Sequence, residues 1–538
     1  NAVYTFPILY FGKSPKPPVE AGYFGLTNLL TACIPNLDAG HAAAIQVYPF
    51  FDHLWRYYLP VGLWRAFAGM ARFLRGQGVR PGDTVAILME NNRHIHAAAW
   101  AARRIGVYYT LVNTHLSVTE VAYIIEDCEA TAVLASRGQR GICQELDREL
   151  PRGLPALALF ADGELDGWQR YPDCIAHESG APLDETWEGQ LLQYSAGSTG
   201  QPKGIRRPLR PAAPSSLSTP VFRELGVGPD SVYLSPAPTY HTAPAMWTMA
   251  AQDAGATTVI MERFDAEGAL KCIEQFGVTH AQFVPTMFIR MLRLPEAVKH
   301  RYDLSSLKRV IHAAAPCPVD IKRQMIAWWG PIIDEYYGSS EGAGISFIRA
   351  EDWLRRPGSV GKPILGVPHI LDDDGRELPA GEVGDVFFEG GYDFDYLNDP
   401  EKTAAAHSPQ GWVTVGDVGY LDDEGYLFLT DRRHNMILSG GVNIYPQEAE
   451  HVLIGHPAVV DAAVFGIPDH DLGQSVMAVV ELVDPSAASD ELAQELLTWV
   501  RARLSRQKCP RAIAFEKRLP RTDAGKLYKR TLVERYGG

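Results

Sequence analysis

The chain has 538 residues and a mass of 59.3 kDa, too long for one ordinary core; its 46% hydrophobic and 21% charged side chains are usual for soluble globular proteins. Its 50 basic and 64 acidic side chains leave a net charge of −14, which argues against nucleic acid as the main partner but allows a local basic pocket for phosphates. Seven cysteines, far apart and without a Cys-x-x-Cys pair, suggest neither a disulfide framework nor a zinc site.

In chain order, residues before about Val79 carry no functional signal, and no leader-like segment is read at the start. Thr84–Met89 (TVAILM) follows the turn Pro81-Gly82-Asp83 and predicts a strand; the Ala-rich stretch His94–Arg104 predicts a helix, and Val107–Val112 a second strand. That is the unit of a parallel sheet. Arg103 and Arg104 interrupt the apolar segment His94–Val112, so it is not a membrane span, and the expected address is the cytoplasm. The pattern recurs at Thr131–Ala135, Thr257–Met261, Thr279–Val284 and Val310–Ala314, which predicts a large α/β body with helices packed on sheets. After about Asp431 the character changes. Glu448–Gly455 reads as a helix, Val459–Ile467 and Ser475–Val483 as strands, and Asp490–Leu504 as an amphipathic helix presenting Leu492, Leu496, Leu497, Val500 and Leu504 on one face. The expected division is an N-terminal domain over residues 1–432 and a small α+β domain over 433–538.

Tyr194–Gly204 (YSAGSTGQPKG) carries three glycines, two serines, a threonine and a lysine. Glycines let a backbone approach an anion, N–H groups and hydroxyls donate hydrogen bonds to it, and an ammonium adds charge: a cradle for a polyphosphate. It is not a Walker loop, because Lys203 precedes Gly204 and the glycines are spaced differently.

This loop resembles that of the adenylate-forming superfamily, which includes acyl- and aryl-CoA synthetases, adenylation domains and firefly luciferase. Further motifs follow in that family's order. Tyr336–Gly342 (YYGSSEG) is similar to its Tyr-Gly-x-Thr-Glu motif, with Ser340 keeping the hydroxyl. Val415-Gly416-Asp417 matches Thr-Gly-Asp except at Val415; Asp431–Glu450 is the longest match; Pro520–Arg530 resembles the C-terminal Pro-x-Thr-x-x-Gly-Lys signature. The resemblance implies a large multi-sheet α/β body and a small mobile α+β C-terminal domain, with ATP, Mg²⁺ and CoA as the small molecules used.

The resemblance also assigns roles. Ser195, Gly197, Ser198, Thr199, Gly200 and Lys203 would cradle the phosphates. Ala314, Ala315, Pro316, Tyr336, Tyr337, Gly338 and Ser339 would line the nucleotide, and Ser340 would touch the α-phosphate. Glu341 would hold Mg²⁺, Asp417 the ribose hydroxyls, and Arg432 the ribose or a phosphate. Lys526 would bridge the substrate carboxylate and the α-phosphate. His434 would be the hinge, read either as a pH-sensitive pivot or as a solvated linker histidine. Gly440 and Gly441 would border the CoA tunnel.

His241, after Pro236–Tyr240 (PAPTY), is similar to the family's gate at the acyl pocket, or else is a core histidine. Met246, Trp247, Ala313 and Gly338 are further candidate walls. Acetate-specific relatives carry tryptophan where Gly338 stands, so the expected acid is bulkier than acetate: a medium- or long-chain fatty acid or a bulky or aryl acid, with sterol-side-chain acids also open. Two other readings stay open: a free-standing adenylation enzyme that loads a carrier protein, weakened because no carrier domain is read after Gly538, and a non-catalytic nucleotide-binding homologue. A homodimer is compatible with all of them.

Overall fold

The computed structural model describes residues 10–11, 45–51, 61–178, 187–195, 202–211, 220–521 and 527–537. The chain forms two compact units, one from residues 1–282, 302–308 and 392–404, the other from 283–301, 309–391 and 405–538.

The first unit contains a five-stranded sheet in the order Tyr108–Leu111, Thr84–Leu88, Ala130–Ala135, Leu157–Phe160, Gln169–Arg170, with every pairing parallel. The apolar run Thr84–Leu88 is buried along its whole length, as expected of a strand covered on both faces. The helix Arg93–Arg104 is buried almost throughout, and even Arg103 lies inside, bonded to the carbonyl of Gly189 at 3.1 Å and paired with Glu188. The helix Val118–Asp127 starts on a capping box between Ser117 and Glu120. A second parallel set joins Val232–Ser235 to Ala254–Met261 and His280–Phe283. A third, antiparallel set pairs Gln193–Ser195 and Asp395–Tyr396 with Lys203–Arg206.

In the second unit Arg309–His312 runs parallel to Ile333–Gly338. The sheet then continues antiparallel through Ile345–Ile348, Ser359–Leu365, Leu427–Arg432, Val413–Leu421, Gly384–Glu389 and Val367–Leu371. Further along the chain, Ile437–Ser439, Val442–Ile444, Val459–Asp469 and Gly473–Leu482 form an antiparallel sheet, to which Ala512–Glu516 adds in parallel. One face packs on Leu453, Leu496 and Val500, the other on Leu519 and Leu532. The helix Asp490–Arg501 is capped by Ser489 and stops three residues short of the expected Leu504, while Leu496, Leu497 and Val500 are buried as its periodicity predicts.

Candidate functional site

In the first unit the phosphate-loop candidate is the connection of a β-hairpin. Lys203 pairs with Ser195, Gly204 with Tyr194 and Ile205 with Gln193. Gly197, Ser198, Thr199 and Gly200 lie outside the described residues. Gly204 has a steric reason: a Cβ there would sit 3.1 Å from Leu397 Cβ and from the Tyr194 ring. The Lys203 ammonium lies 3.0 Å from Asp399 Oδ2, while Asp399 Oδ1 accepts the backbone N–H of Lys402 at 3.0 Å. That N–H first, then the Lys203 ammonium, holds the Asp399 carboxyl below its ordinary value. The Tyr194 hydroxyl donates to Asp127 Oδ2 at 2.6 Å, and Asn398 donates to the carbonyl of Asp127 at 3.0 Å.

His241 stands just before the helix Thr242–Asp253, without a side-chain capping bond; on that helix Met246 is half-buried and Trp247 buried against Phe222. His241 is half-buried, with its ring centre 4.7 Å from that of Tyr240 and its Nε2 shielded from solvent. The segment before it is pinned by buried Asn91. That amide donates to the carbonyls of Ala237 at 3.0 Å and Met261 at 2.8 Å and accepts the N–H of Thr239 at 2.7 Å. Beneath lies His96, whose ring burial lowers to a pKa of about 3.

In the second unit Ala313 is buried at the end of the strand Arg309–His312. Ala314 follows at φ +72°, a left-handed conformation that costs an alanine strain and holds its backbone against the usual preference. Ala315 is half-buried and Pro316 exposed. The neighbouring strand Ile333–Gly338 carries Tyr336, Tyr337 and Gly338, followed by Ser339, Ser340 and a half-buried Glu341. The Tyr337 hydroxyl donates to Asp417 Oδ2 at 2.6 Å, and Arg432 Nε lies 3.1 Å from Asp417 Oδ1. Adjacent strands in register, Asp417 opposite Arg432, make that pairing. Burial first, then Asp417, raises the Tyr337 hydroxyl well above its ordinary value. Burial opposes the charge of Arg432, but Asp417, Tyr337 and Glu341 together outweigh it and raise the guanidinium.

Behind this strand is an ionic cluster. Glu335 lies 2.7 Å from the wholly buried Lys322 and 3.3 Å from His312. Burial alone would raise its carboxyl; Lys322 and His312 overcome that and hold it at about 2.

His434 is exposed, in the short 3-10 turn Arg433–Asn435. Buried Asp431 braces that turn: it accepts from Asn435 Nδ2 at 2.9 Å and from the N–H of Gln447 at 3.0 Å. Gly440 and Gly441 are exposed with φ of +57° and +80°, so a side chain at either would be strained. Lys526 lies outside the described residues. Its flanks are fixed: Arg521 and Leu527 form an isolated antiparallel bridge, the Tyr528 N–H reaches the carbonyl of Pro520 at 2.8 Å, and Arg521 pairs with Asp461.

Sequence-predicted residues thus fall into groups. Ser195 and Lys203 sit together, as do His241, Met246 and Trp247, all in the first unit; Ala313, Gly338, Tyr337, Glu341, Asp417 and Arg432 belong to the second. Sequence reasoning missed Asn91, Asp399 and the Lys322–Glu335–His312 cluster. Only Asp399 left a signal, as the residue before Pro400 in Asn-Asp-Pro-Glu, a helix-start pattern.

Comparison with known proteins fits this arrangement. The AMP-binding enzyme family matches residues 62–392, and the AMP-binding enzyme C-terminal domain matches residues 448–526. The chain therefore belongs to the adenylate-forming superfamily of AMP-binding enzymes, as an AMP-forming acid–thiol ligase. It is 32% identical to the feruloyl-CoA synthase of Amycolatopsis sp, over 88% of this chain and 93% of that one. It is 30% identical to the long-chain-fatty-acid–CoA ligase FadD13 of Mycobacterium tuberculosis, over 87% and 90%. The Bacillus subtilis o-succinylbenzoate CoA synthetase MenE, solved with its acyl-adenylate OSB-AMP, superimposes with a TM-score of 0.72 at 27% identity, covering 87% of this chain and 92% of that one. Among the described residues no helix is long and apolar enough to cross a membrane.

Proposed function

We propose that the chain activates a carboxylic acid bulkier than acetate with ATP and Mg²⁺ and passes the acyl group to the thiol of CoA. In the first step a carboxylate oxygen attacks the α-phosphorus, the bond to the β-phosphate bridging oxygen breaks, and pyrophosphate leaves with acyl-AMP formed. In the second the CoA thiol gives up its proton to solvent, its sulfur bonds to the acyl carbon, and the bond from that carbon to the AMP phosphate oxygen breaks, releasing AMP. The carboxylate and the triphosphate repel each other, so the first step depends on positive charge and positioned donors more than on a general base.

The observation that carries the reading is the carboxylate of Asp417 held between Tyr337 and Arg432, with Glu341 close enough to act on both partners. Asp417 keeps lone pairs for two ribose hydroxyls while its position is set from behind. Glu341, a half-buried carboxylate at the end of that strand, has the hard oxygen donor that Mg²⁺ prefers and would hold it beside the phosphates, where the ion offsets negative charge. Lys203 serves the β- and γ-phosphates and Lys526 the reacting carboxylate. The second domain, 433–538, turns on the hinge at His434 between the two steps, and Gly440 and Gly441 face CoA.

The relatives named for feruloyl and long-chain acyl substrates, and the lack of a side chain at Gly338, support a bulky acid. The test is a panel of acetate, hexanoate, benzoate and ferulate with ATP, Mg²⁺ and CoA, reading pyrophosphate, AMP and thioester. Pyrophosphate and thioester are expected with the larger acids. A strong preference for acetate sinks the pocket reading, and acyl-AMP that accumulates without thioester would point to a carrier protein as acceptor.

A further inference from the structure

We infer that Asp399 is a positioning residue for the phosphate-loop lysine, acting through Lys203 on the affinity for ATP; this rests on the loop's proposed role as a triphosphate cradle. The carboxylate is divided between two tasks. Oδ1 accepts the N–H of Lys402 at the start of the helix Pro400–Ala405, which fixes the carboxylate in space. Oδ2 is left facing the Lys203 ammonium at 3.0 Å. The pair is sheltered, with side-chain exposures of 19% for Lys203 and 34% for Asp399, so the attraction is less screened than on an open surface.

The same turn grips both stems of the loop. The Leu397 N–H bonds to the carbonyl of Gly204 at 2.8 Å on one stem. Asn398, held at φ +57°, donates to Asp127, which in turn accepts the Tyr194 hydroxyl on the other. Residues 396–399 are thus built as a bracket under the hairpin, and Asp399 is its charged member. A free lysine samples many rotamers and must give them up when a phosphate arrives. Asp399 makes that ordering part of the folded protein, so the ammonium meets the triphosphate already confined.

Asp399→Asn separates charge from capping, because asparagine caps a helix start about as well as aspartate. Binding of ATP with Mg²⁺ is measured by calorimetry, and KM for ATP and for the acid by pyrophosphate exchange. Asp399→Asn is expected to raise both the ATP dissociation constant and KM for ATP about fivefold or more. KM for the acid and the melting temperature should not move, and the substitution should add nothing in a Lys203→Ala background. Unchanged or tighter ATP binding in Asp399→Asn overturns the inference, and so does an effect that adds to that of Lys203→Ala. A wild-type protein that binds ATP yet exchanges pyrophosphate with no acid would instead sink the proposed reaction, and the binding constants alone would still decide the role of Asp399.

Discussion

The Tyr337 hydroxyl and the Asp417 carboxylate meet at 2.6 Å, joining a strand end to a strand that is distant in sequence and placing a buried acid where its second oxygen can take Arg432. Hydrogen bonds to a charged group are worth about 1.5–3 kcal/mol. Tyr337→Phe removes one without changing the packed ring. Its expected result is an increase of about tenfold in KM for ATP, with KM for the acid unchanged, in a pyrophosphate-exchange assay. A variant with unaltered KM for ATP would show that the carboxylate does not depend on this partner.

Lys526 has a different prediction, because its proposed task belongs to one step only. Lys526→Ala should lose nearly all acid-dependent exchange of pyrophosphate into ATP. It should still convert preformed acyl-AMP and CoA to thioester at close to the wild-type rate. Full exchange in this variant would show that another cation neutralises the attacking carboxylate.

What was legible in the sequence was mostly local. The β-rich run Thr84–Leu88, apolar after Thr84, and the period of Leu496, Leu497 and Val500 give away a buried parallel strand and an amphipathic helix, because each pattern reports its own environment. Motif residues such as Asp417 stand out through their neighbours in the chain. Asn91 does not, and Asp399 shows only as a helix start before Pro400, since their partners Ala237 and Lys203 stand 146 and 196 positions away and a lone polar residue carries no mark of what it meets. The left-handed backbone of Ala314 was equally hidden, because glycine rather than alanine signals such a turn.

Asn91 yields a stability prediction. It satisfies two carbonyls and one N–H that are otherwise buried, and aspartate at that position could accept from Thr239 but not donate to Ala237 or Met261. Buried groups left unpaired cost about 1–3 kcal/mol each. Asn91→Asp should therefore lower thermal stability by about 3 kcal/mol. It should also raise KM for the acid, by loosening the segment that carries His241, more than KM for ATP. A melting temperature equal to that of the wild type would contradict the count of bonds.

His96 predicts a pH dependence with a definite sign. Burial lowers its folded pKa to about 3, so below about pH 6.5 the unfolded chain takes up a proton that the folded chain refuses. The folded state then loses about 1.4 kcal/mol for each further pH unit until the folded pKa is reached. Buried Asp334 works the other way: its folded pKa is raised by burial to about 6, so between pH 6 and about 4 the folded chain binds the proton first and gains. Absolute melting curves mix these with other buried groups, among them His451 and Glu335. The difference between wild type and His96→Gln isolates the histidine: measured by thermal unfolding, any stability advantage of the wild type should shrink steadily from pH 6.5 to 4.5. Parallel curves across that window would mean that the ring is not held neutral.

Gly338 ties the proposed acid to a single Cβ. A Cβ built there would stand in ordinary van der Waals contact with Gly344 O and Ile345 Cγ1, both at 3.6 Å, and the residue is exposed, so a side chain there has a way out to solvent. Gly338→Trp should thus leave the melting temperature within a few degrees of wild type, as surface substitutions away from special backbone usually do. If the space above Gly338 is where the acyl group lies, the indole fills it. Turnover of hexanoate and benzoate should then fall at least tenfold in kcat/KM, about 1.4 kcal/mol in transition-state binding, while acetate is spared or improved. Equal losses for all three acids would indicate a disturbed nucleotide strand, since Tyr336 and Tyr337 precede it directly. Unchanged use of the larger acids would remove Gly338 from the pocket and leave His241 and Trp247 as the residues to test for acid size.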